Sequence, residues 1–576
     1  MSTATLPAAD AATIDRALSE LAAGARAWPA CGLAQRRDLI QRVHTAAGAQ
    51  ADAWVNAAAL YKQLPDGSQL RGEEWTSGPY AVLTATAVLA ESIAALEAGG
   101  SPVDGYRFGT APGGRTTVKI LPHGVYDRLL LSGFTAEVWM PPGVSGATVR
   151  RQAGLALRDP SGPGGVGVVL GAGNITSIPV LDVLYELYAN NRVALLKLNP
   201  VTDVLFDVFS KVLAPLIGLG LVRIVRGGAD VGTYLVHHDL VDHVHMTGSA
   251  LTHDAIVWGT GAEGAARKAA GTPLLAKPIS SELGGVSPTL VVPGRWSEAD
   301  LRFQAEHVAT QKLHNGGYNC IASQIVVVSS DWPQKEAFLR HLRDALAKAP
   351  ARPAFYPGTE ARVAQACQAY PDAEQVRSRV LISVPGDTGD PDDTTPEPAL
   401  VTEYFGPVLG VMELPGDAPA FLAAAVRTAN ERFAGTLGAN IIAHPRTISA
   451  LGTAFEQAVA DLRYGTVGVN AWTAVGYLTA PATWGAFPGH TLDDVQSGIG
   501  VVHNALLLAG PERTVLRGPF RPAPRALLHG ERSISPKPLW FVSNKTAATT
   551  GRRLVGFAAK PRWSALPGIF ISALRG

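Results

Sequence analysis

Cysteine is scarce in this chain: Cys31, Cys320 and Cys367 are the three among 576 residues. So few thiols build no disulfide framework, and their spacing fits no metal site. A reducing, cytoplasmic setting follows as the expectation. Charge is also sparse. Asp, Glu, Lys and Arg together make 17% of the chain and the net charge is +1, which argues against a nucleic acid or acidic partner as the main business. Long uncharged apolar runs are missing as well. The nearest to a membrane-spanning window, residues 204–225, contains Asp207, Lys211 and Arg223, so no span is expected. Residues 1–15 are Ala-rich without a basic start and an apolar run, and do not read as a signal peptide. Internal repeats are not seen. Apolar material is abundant, at 47%. At this length that predicts two to four domains or one large multi-lobed enzyme.

Periodicity divides the chain. Residues 11–98 are Ala-rich with apolar positions at helical spacing. Residues 102–115 are rich in Gly and Pro, and the chain then turns extended at 116–121 and 137–140 before Pro141-Pro142-Gly143. From Val166 the texture alternates. Strands are expected at 166–170, 193–197, 221–225 and 241–246, with helices at 179–190, 204–219 and 230–238. This alternation implies a parallel sheet with right-handed crossovers and ligands beyond the carboxyl ends of its strands. A second α/β region follows Lys277. It has helices at 300–312 and 332–348, strands at 286–292, 325–328, 380–384, 408–412 and 466–470, and an acidic Pro-rich loop at 385–398. A basic tail from about Arg521 carries Arg552, Arg553, Lys560, Arg562 and Arg575, and ends near the apolar Ile569-Phe570-Ile571.

Polar residues collect at the expected strand ends. Gly171-Ala172-Gly173-Asn174 follows the first strand of the alternating run, Lys197 ends the next, and Thr247-Gly248-Ser249 ends a later one. A cation, a Gly-Ser at a helix start and free backbone N–H groups suit the phosphates and ribose of a nucleotide. Each feature alone is weak: a Gly-rich turn is usually only a turn, and a lone Lys is usually solvated. Further on, Glu282 opens a Gly-Gly turn before one strand, and Cys320 follows the Asn/Gly-rich run 315–319 before another. A thiol and a carboxylate, each at the mouth of a strand, make a nucleophile and a base. The competing reading is that Cys320 is an inert buried thiol.

The order of these residues resembles that of the aldehyde dehydrogenase superfamily over about residues 121–500. The matching series is Gly173-Asn174, Lys197, Thr247-Gly248-Ser249, Glu282-Leu283-Gly284-Gly285, Cys320, Glu403-Tyr404-Phe405-Gly406-Pro407-Val408 and Asn470. The 23-residue step from Asn174 to Lys197, and a Glu-Leu-Gly-Gly followed by a cysteine 38 residues after its Glu, both match. The resemblance implies an α/β fold. It has a Rossmann-type nucleotide-binding domain with the N-terminal helices (1–280), an α/β catalytic domain (281–475) and a C-terminal return with the basic tail (476–576). An oligomerisation β-hairpin is expected at about 136–162, pairing subunits into a homodimer or homotetramer. It implies NAD or NADP as cofactor, with Lys197 at the adenosine ribose and Glu403 at the nicotinamide ribose. Gly173, Gly248, Ser249, Leu283 and Phe405 are the remaining cofactor-binding residues. Cys320 is implied as nucleophile, Glu282 as the base that activates water, and Asn174 with the Cys320 N–H as the oxyanion hole. The expected activity is oxidation of an aldehyde to a carboxylic acid.

Four positions depart from the family pattern. Asn174 follows Ala172-Gly173 instead of Pro-Trp, a form closer to CoA-acylating and acyl-reductase branches. His253 stands where a glycine usually follows the Gly-Ser turn. Pro200 replaces a ribose-binding Glu, which leaves NADP open. Tyr318 replaces a Gln before the cysteine. Two alternatives therefore stay beside hydrolytic oxidation: a CoA-acylating dehydrogenase, and a catalytically silent binding relative. The Gly/Ala-rich stretch 259–271 reads as an inserted short helix and loop. Trp472, Tyr477 and Trp484 either line an apolar or aromatic substrate pocket or belong to ordinary core. The tail either packs on a partner subunit or touches a membrane surface peripherally.

Overall fold

The computed structural model describes residues 7–386 and 395–576. The loop expected at 385–398 lies for the most part outside the described residues. The Ala-rich opening forms two long helices, Ala8–Ala27 and Leu33–Tyr61, separated at the 3₁₀ turn Trp28–Ala30 that holds Pro29. The helical reading of 51–98 is interrupted. The chain leaves the helix at Lys62 and turns through Pro65 and Gly67. It resumes at Arg71–Trp75 and Ala81–Glu97, with a π-helical turn Thr76–Tyr80 kinked at Gly78 between them. By length and composition this stretch, Arg71–Glu97 at mean hydropathy 1.5, is apolar enough to cross a bilayer, which the sequence reading had not marked. Half of it is buried inside the protein, against Leu33–Tyr61 and the C-terminal helix Ala547–Ala559.

The described strands, in chain order, are β1 (Arg107–Ala111), β2 (Arg115–Leu121), β3 (Thr135–Trp139), β4 (Gly165–Leu170), β5 (Arg192–Lys197), β6 (Val222–Val225), β7 (His243–Gly248), β8 (Ile279–Leu283), β9 (Ser287–Val291), β10 (Ser323–Ser329), β11 (Glu374–Val376), β12 (Arg379–Val384), β13 (Val408–Leu414), β14 (Gly438–Ile442), β15 (Thr466–Val469), β16 (Thr483–Gly485), β17 (Gly498–Ile499), β18 (Val501–Asn504) and β19 (Arg513–Arg517). Six of them form one sheet in the order β17-β8-β7-β4-β5-β6. Strands β4 to β8 run parallel, and β17 is antiparallel to β8. The chain leaves β4 to one side for β5 and β6, then crosses to the other for β7 and β8. The reversal opens a crevice beyond the carboxyl ends of β4 and β7, the place where such sheets take ligands. Val168 and Leu195, in the middle of this sheet, are fully buried, as both faces of a parallel sheet require.

The second sheet has eleven strands in the order β1-β2-β3-β19-β15-β14-β9-β10-β13-β12-β11. Its central strands β19 to β12 are parallel, and β3, β2 and β1 extend it antiparallel from β19. Residues 136–162 do not form the expected hairpin. Only 136–139 are strand; Pro141 and Pro142 remove backbone donors, and Ser145 then caps the helix Gly146–Gln152. The antiparallel partners of β3 are β2 and β19, the latter from the C-terminal part of the chain. The stretch 259–271 does contain a short helix, Gly261–Ala270.

The tail closes over the molecule. Helix Ala547–Ala559 packs on Arg71–Trp75 and Leu33–Tyr61, and Leu566–Ala573 packs on Ala547–Ala559. Ile569 is buried in that contact, while Ile571 is exposed.

Candidate active site

The nucleophile loop is built by glycine geometry and a buried charge cage. Helix Glu298–Leu313 ends at His314, and Asn315, Gly316 and Gly317 then take successive positive φ values of 54°, 72° and 84°. A side chain on Gly317 would place its Cβ 2.5 Å from the Gly406 carbonyl oxygen. Asn315 fixes the turn. Its N–H donates to Glu73 at 3.0 Å, and its side-chain oxygen accepts from Lys62 Nζ at 3.0 Å. Lys62 Nζ also donates to both oxygens of Glu74 at 2.9 Å, with both side chains fully buried. Arg352 closes the cage against Glu73. Buried charges of this kind persist only when paired and hydrogen-bonded.

Cys320 emerges from this loop with Sγ 3.6 Å from Glu282 Oε1. Glu282 stands on β8, in the six-stranded sheet, and is 1% exposed. The two predicted reacting groups, 38 residues apart, are thus brought into contact from two different sheets. Trp484 Nε1 donates to the same Oε1 at 2.7 Å, while Glu282 Oε2 is buried without a protein partner. Burial pushes the Glu282 carboxyl above its usual range; nearby Asp182 adds to the rise, and His503 opposes it. Burial likewise pushes the Cys320 thiol well up, and Glu282 and Glu403 reinforce the rise. The resting thiol is therefore neutral and placed to donate to Glu282 Oε1.

A narrow cavity of about 50 Å³ opens onto Cys320 and Glu282. Its walls are apolar: Ile175, Ile178, Ile321, Trp472, Tyr477 and Trp484 are among them. All three aromatics singled out in the sequence thus reach it. They also have fixed partners: Trp472 packs on His314, and Tyr477 Oη hydrogen-bonds Ser177 Oγ at 2.7 Å. Asn174 lies beside the loop, its Nδ2 donating to the Tyr318 carbonyl at 3.0 Å. An amide nitrogen carries two hydrogens, so one remains for another acceptor.

Lys197 and Gly248-Ser249 lie at the carboxyl ends of β5 and β7, and the other predicted residues lie around them and the Gly284-Gly285 turn. Register sets Lys197 opposite Leu170, and Leu170 opposite Met246. Lys197 is 9% exposed, and burial draws its pKa down against Asp203 and Asp230. Gly248 and Ser249 are exposed, and Ser249 caps the helix Ala250–Val257. A helix start with an open Gly-Ser approach suits an anion. A Cβ on Gly173 would sit 2.8 Å from the Asn199 side chain. His253 is fully buried in the helix that Ser249 caps, its Nδ1 3.5 Å from Asp254, and burial lowers its pKa against that carboxylate. Glu403 lies against the Gly-Gly turn: a Cβ on Gly284 would come within 2.1 Å of its Oε2. Its Oε1 is buried without a partner. Burial raises Glu403 to about 8 and lowers Lys312, whose charge acts on it, to about 7. Phe405 is half-buried at φ 32°, against Tyr356. Leu283 is less available: its side chain is in the core and its N–H donates to the Ser497 carbonyl.

Sequence reasoning missed the group behind Glu282. Asp182 accepts from His503 Nε2 at 3.2 Å and Thr247 Oγ1 at 3.2 Å, and His245 Nε2 lies 3.4 Å away. Burial alone would raise Asp182, yet His245 and His503 hold it at about 2. His245 shares a strand face with Thr247, two residues on, which was the one available signal. Tyr318, in place of the usual Gln, receives a hydrogen bond from Thr359 Oγ1 at 3.0 Å and stacks with Tyr356.

The two sheets thus bring a thiol and a carboxyl group together beside a crevice of the kind in which such sheets take ligands. Residues 153–379 match the model of the aldehyde dehydrogenase family. The chain covers 89% of its length against the NAD-dependent aldehyde dehydrogenase of Sinorhizobium meliloti (88% of that chain, TM-score 0.57, 18% identity). It resembles an indole-3-acetaldehyde dehydrogenase solved with NAD+ to the same degree (88% and 89% of the two chains, TM-score 0.56, 18% identity). Among curated proteins, the putative aldehyde dehydrogenase AldX of Bacillus subtilis is 29% identical over 34% of this chain and 40% of its own. A D-glyceraldehyde dehydrogenase (NADP(+)) of Thermoplasma acidophilum is 32% identical over 19% of this chain and 20% of its own. The chain thus spans well under half the length of these curated relatives. The family model thus matches one part of the chain, and the solved aldehyde dehydrogenases share its fold.

Proposed function

We propose that this protein is an NAD(P)-dependent aldehyde dehydrogenase that oxidises an apolar aldehyde to its carboxylic acid through Cys320. The observation that carries this reading is the 3.6 Å approach of Cys320 Sγ to Glu282 Oε1 at the floor of an apolar cavity. The dinucleotide fits the crevice by the chemistry of its donors and acceptors. Gly248 and Ser249 would hold its phosphates and Lys197 the adenosine ribose. Glu403, with an unpartnered buried oxygen, would accept from the nicotinamide ribose. A bound nicotinamide supplies the acceptor for the aldehyde's hydride.

The chain's own groups do the rest. Sγ adds to the aldehyde carbon as its proton passes to Glu282, and the carbonyl oxygen becomes an oxyanion. The Cys320 N–H and the free hydrogen of Asn174 Nδ2 would stabilise it, each such donor being worth about 3–4 kcal/mol in comparable sites. Loss of hydride leaves an acyl thioester on Cys320. Glu282 releases its proton to solvent and, again a carboxylate, takes one from water; the hydroxide adds to the thioester carbon, Sγ leaves as thiolate and regains its proton from Glu282. A carboxyl pKa above the ordinary range suits a base working near neutral pH. Trp484 aims it by binding Oε1 and leaving Oε2 for the water.

A panel of aldehydes assayed with NAD and NADP, with and without CoA, tests this. The expected result is NAD(P)H formation that is independent of CoA and yields the free acid. A rate that depends on CoA and yields acyl-CoA would replace water as the acceptor.

A further inference from the structure

Trp540 belongs to the segment beyond Arg521, outside the region that resembles the family, yet it forms part of the wall of the Cys320 cavity. It also lines a second, smaller cavity with Phe134, His307, Phe541 and Arg521. The indole is therefore a partition between the two. Its Nε1 is buried without a hydrogen-bond partner, an uncommon state for a donor that usually finds one.

The partition is firmly mounted. Arg521 donates two hydrogen bonds of 2.8 Å to Asp300. Lys537 pairs with Glu306 at 2.6 Å. Phe541 stacks on Phe303 and His307, with centroids 5.2 and 5.4 Å apart. The Val542 N–H reaches Thr310 Oγ1 at 3.3 Å. All of these anchors lie on Glu298–Leu313, the helix that delivers the nucleophile loop. Phe134 meets the Trp540 ring edge-on at 5.9 Å. The tail thus presents one aromatic side chain to the pocket from a scaffold shared with the nucleophile.

We propose that Trp540 is a specificity-determining residue: its ring bounds the acyl pocket, and its N–H donates to an acceptor atom on the substrate. The substrate class is then a compact apolar aldehyde, aromatic or branched, with one oxygen acceptor away from its carbonyl. This rests on the aldehyde dehydrogenase reading above, so the test has one arm that does not.

In the first arm, kcat/KM is measured for straight-chain aldehydes of increasing length, and for phenyl aldehydes with and without a ring oxygen substituent. Trp540→Ala is expected to raise the long-to-short ratio at least tenfold. Trp540→Phe, which keeps the ring and loses the donor, is expected to keep the length profile. It should lose about tenfold of the preference for the oxygen-bearing aldehyde, the usual effect of one hydrogen bond. In the second arm, Cys320 is alkylated with N-alkylmaleimides of increasing length and followed by mass spectrometry, with no cofactor present. Trp540→Ala is expected to speed the long reagents relative to N-ethylmaleimide. A changed alkylation profile without aldehyde turnover would sink the dehydrogenase reading and leave the wall standing. Unchanged length selectivity in both arms, or an unchanged oxygen preference in Trp540→Phe, would overturn the proposal.

Discussion

At the scale of the residue, Glu282 is governed by what surrounds its two oxygens. Oε1 takes the Trp484 N–H and faces the thiol, while Oε2 is free. Trp484→Phe keeps the aromatic wall and deletes a donor that favours the charged carboxylate. The Glu282 pKa should rise further, so the acid limb of the pH–rate profile moves to higher pH and turnover at neutral pH falls about tenfold. The sign follows from the role: a base must be deprotonated, so a raised pKa loses activity as pH falls, sooner than an ordinary carboxylate would. Glu282→Gln should abolish that limb in the hydrolytic step. Cys320→Ala should remove NAD(P)H formation entirely, read by absorbance.

At the scale of the element, the nucleophile loop depends on a cage that it does not itself supply. Lys62 and Glu74 come from the N-terminal helices, and Arg352 comes from beyond β10. Lys62→Met leaves buried Glu74 with only Arg352, 3.5 Å away, as counter-charge. A loss of about 3–5 kcal/mol is expected for breaking such a pair, seen as a lower thermal midpoint, together with slower acylation of Cys320 because Asn315 loses a donor. Gly317→Ala meets the Gly406 carbonyl and a positive φ at once, and should impair activity more than its one added methyl would in a helix. The elements themselves were largely legible in sequence. Uniform apolar runs between turn residues located β4, β5, β7 and β10, because parallel strands bury both faces. The break at residues 62–70 was blurred by the Ala-rich composition on both sides, although Pro65 and Gly67 announce it. The hairpin at 136–162 was inferred from resemblance, and Pro141-Pro142 send the chain into a helix instead. The cage and the Asp182–His245–His503 group were not legible, since their members meet only through the packing of distant segments.

At the scale of the whole molecule, the tail binds the catalytic half together. Arg521 is 4% exposed and joins Asp300, Glu531 and His444. Arg521→Ala should cost about 3–5 kcal/mol by leaving Asp300 short of its main counter-charge, measurable by calorimetry. Both sheets cooperate in the centre, one supplying Glu282 and the other presenting Cys320, so the chemistry belongs to their docking and not to either alone. That joint site is tested most directly by trapping the acyl-enzyme. The Glu282→Gln protein is mixed with an aldehyde and the oxidised cofactor, without CoA, and its intact mass and peptide map are recorded. The account predicts one acyl group, held as a thioester on Cys320, that persists while the unmodified protein shows none. Steady turnover by Glu282→Gln at neutral pH, or an acyl group on any other residue, would contradict it.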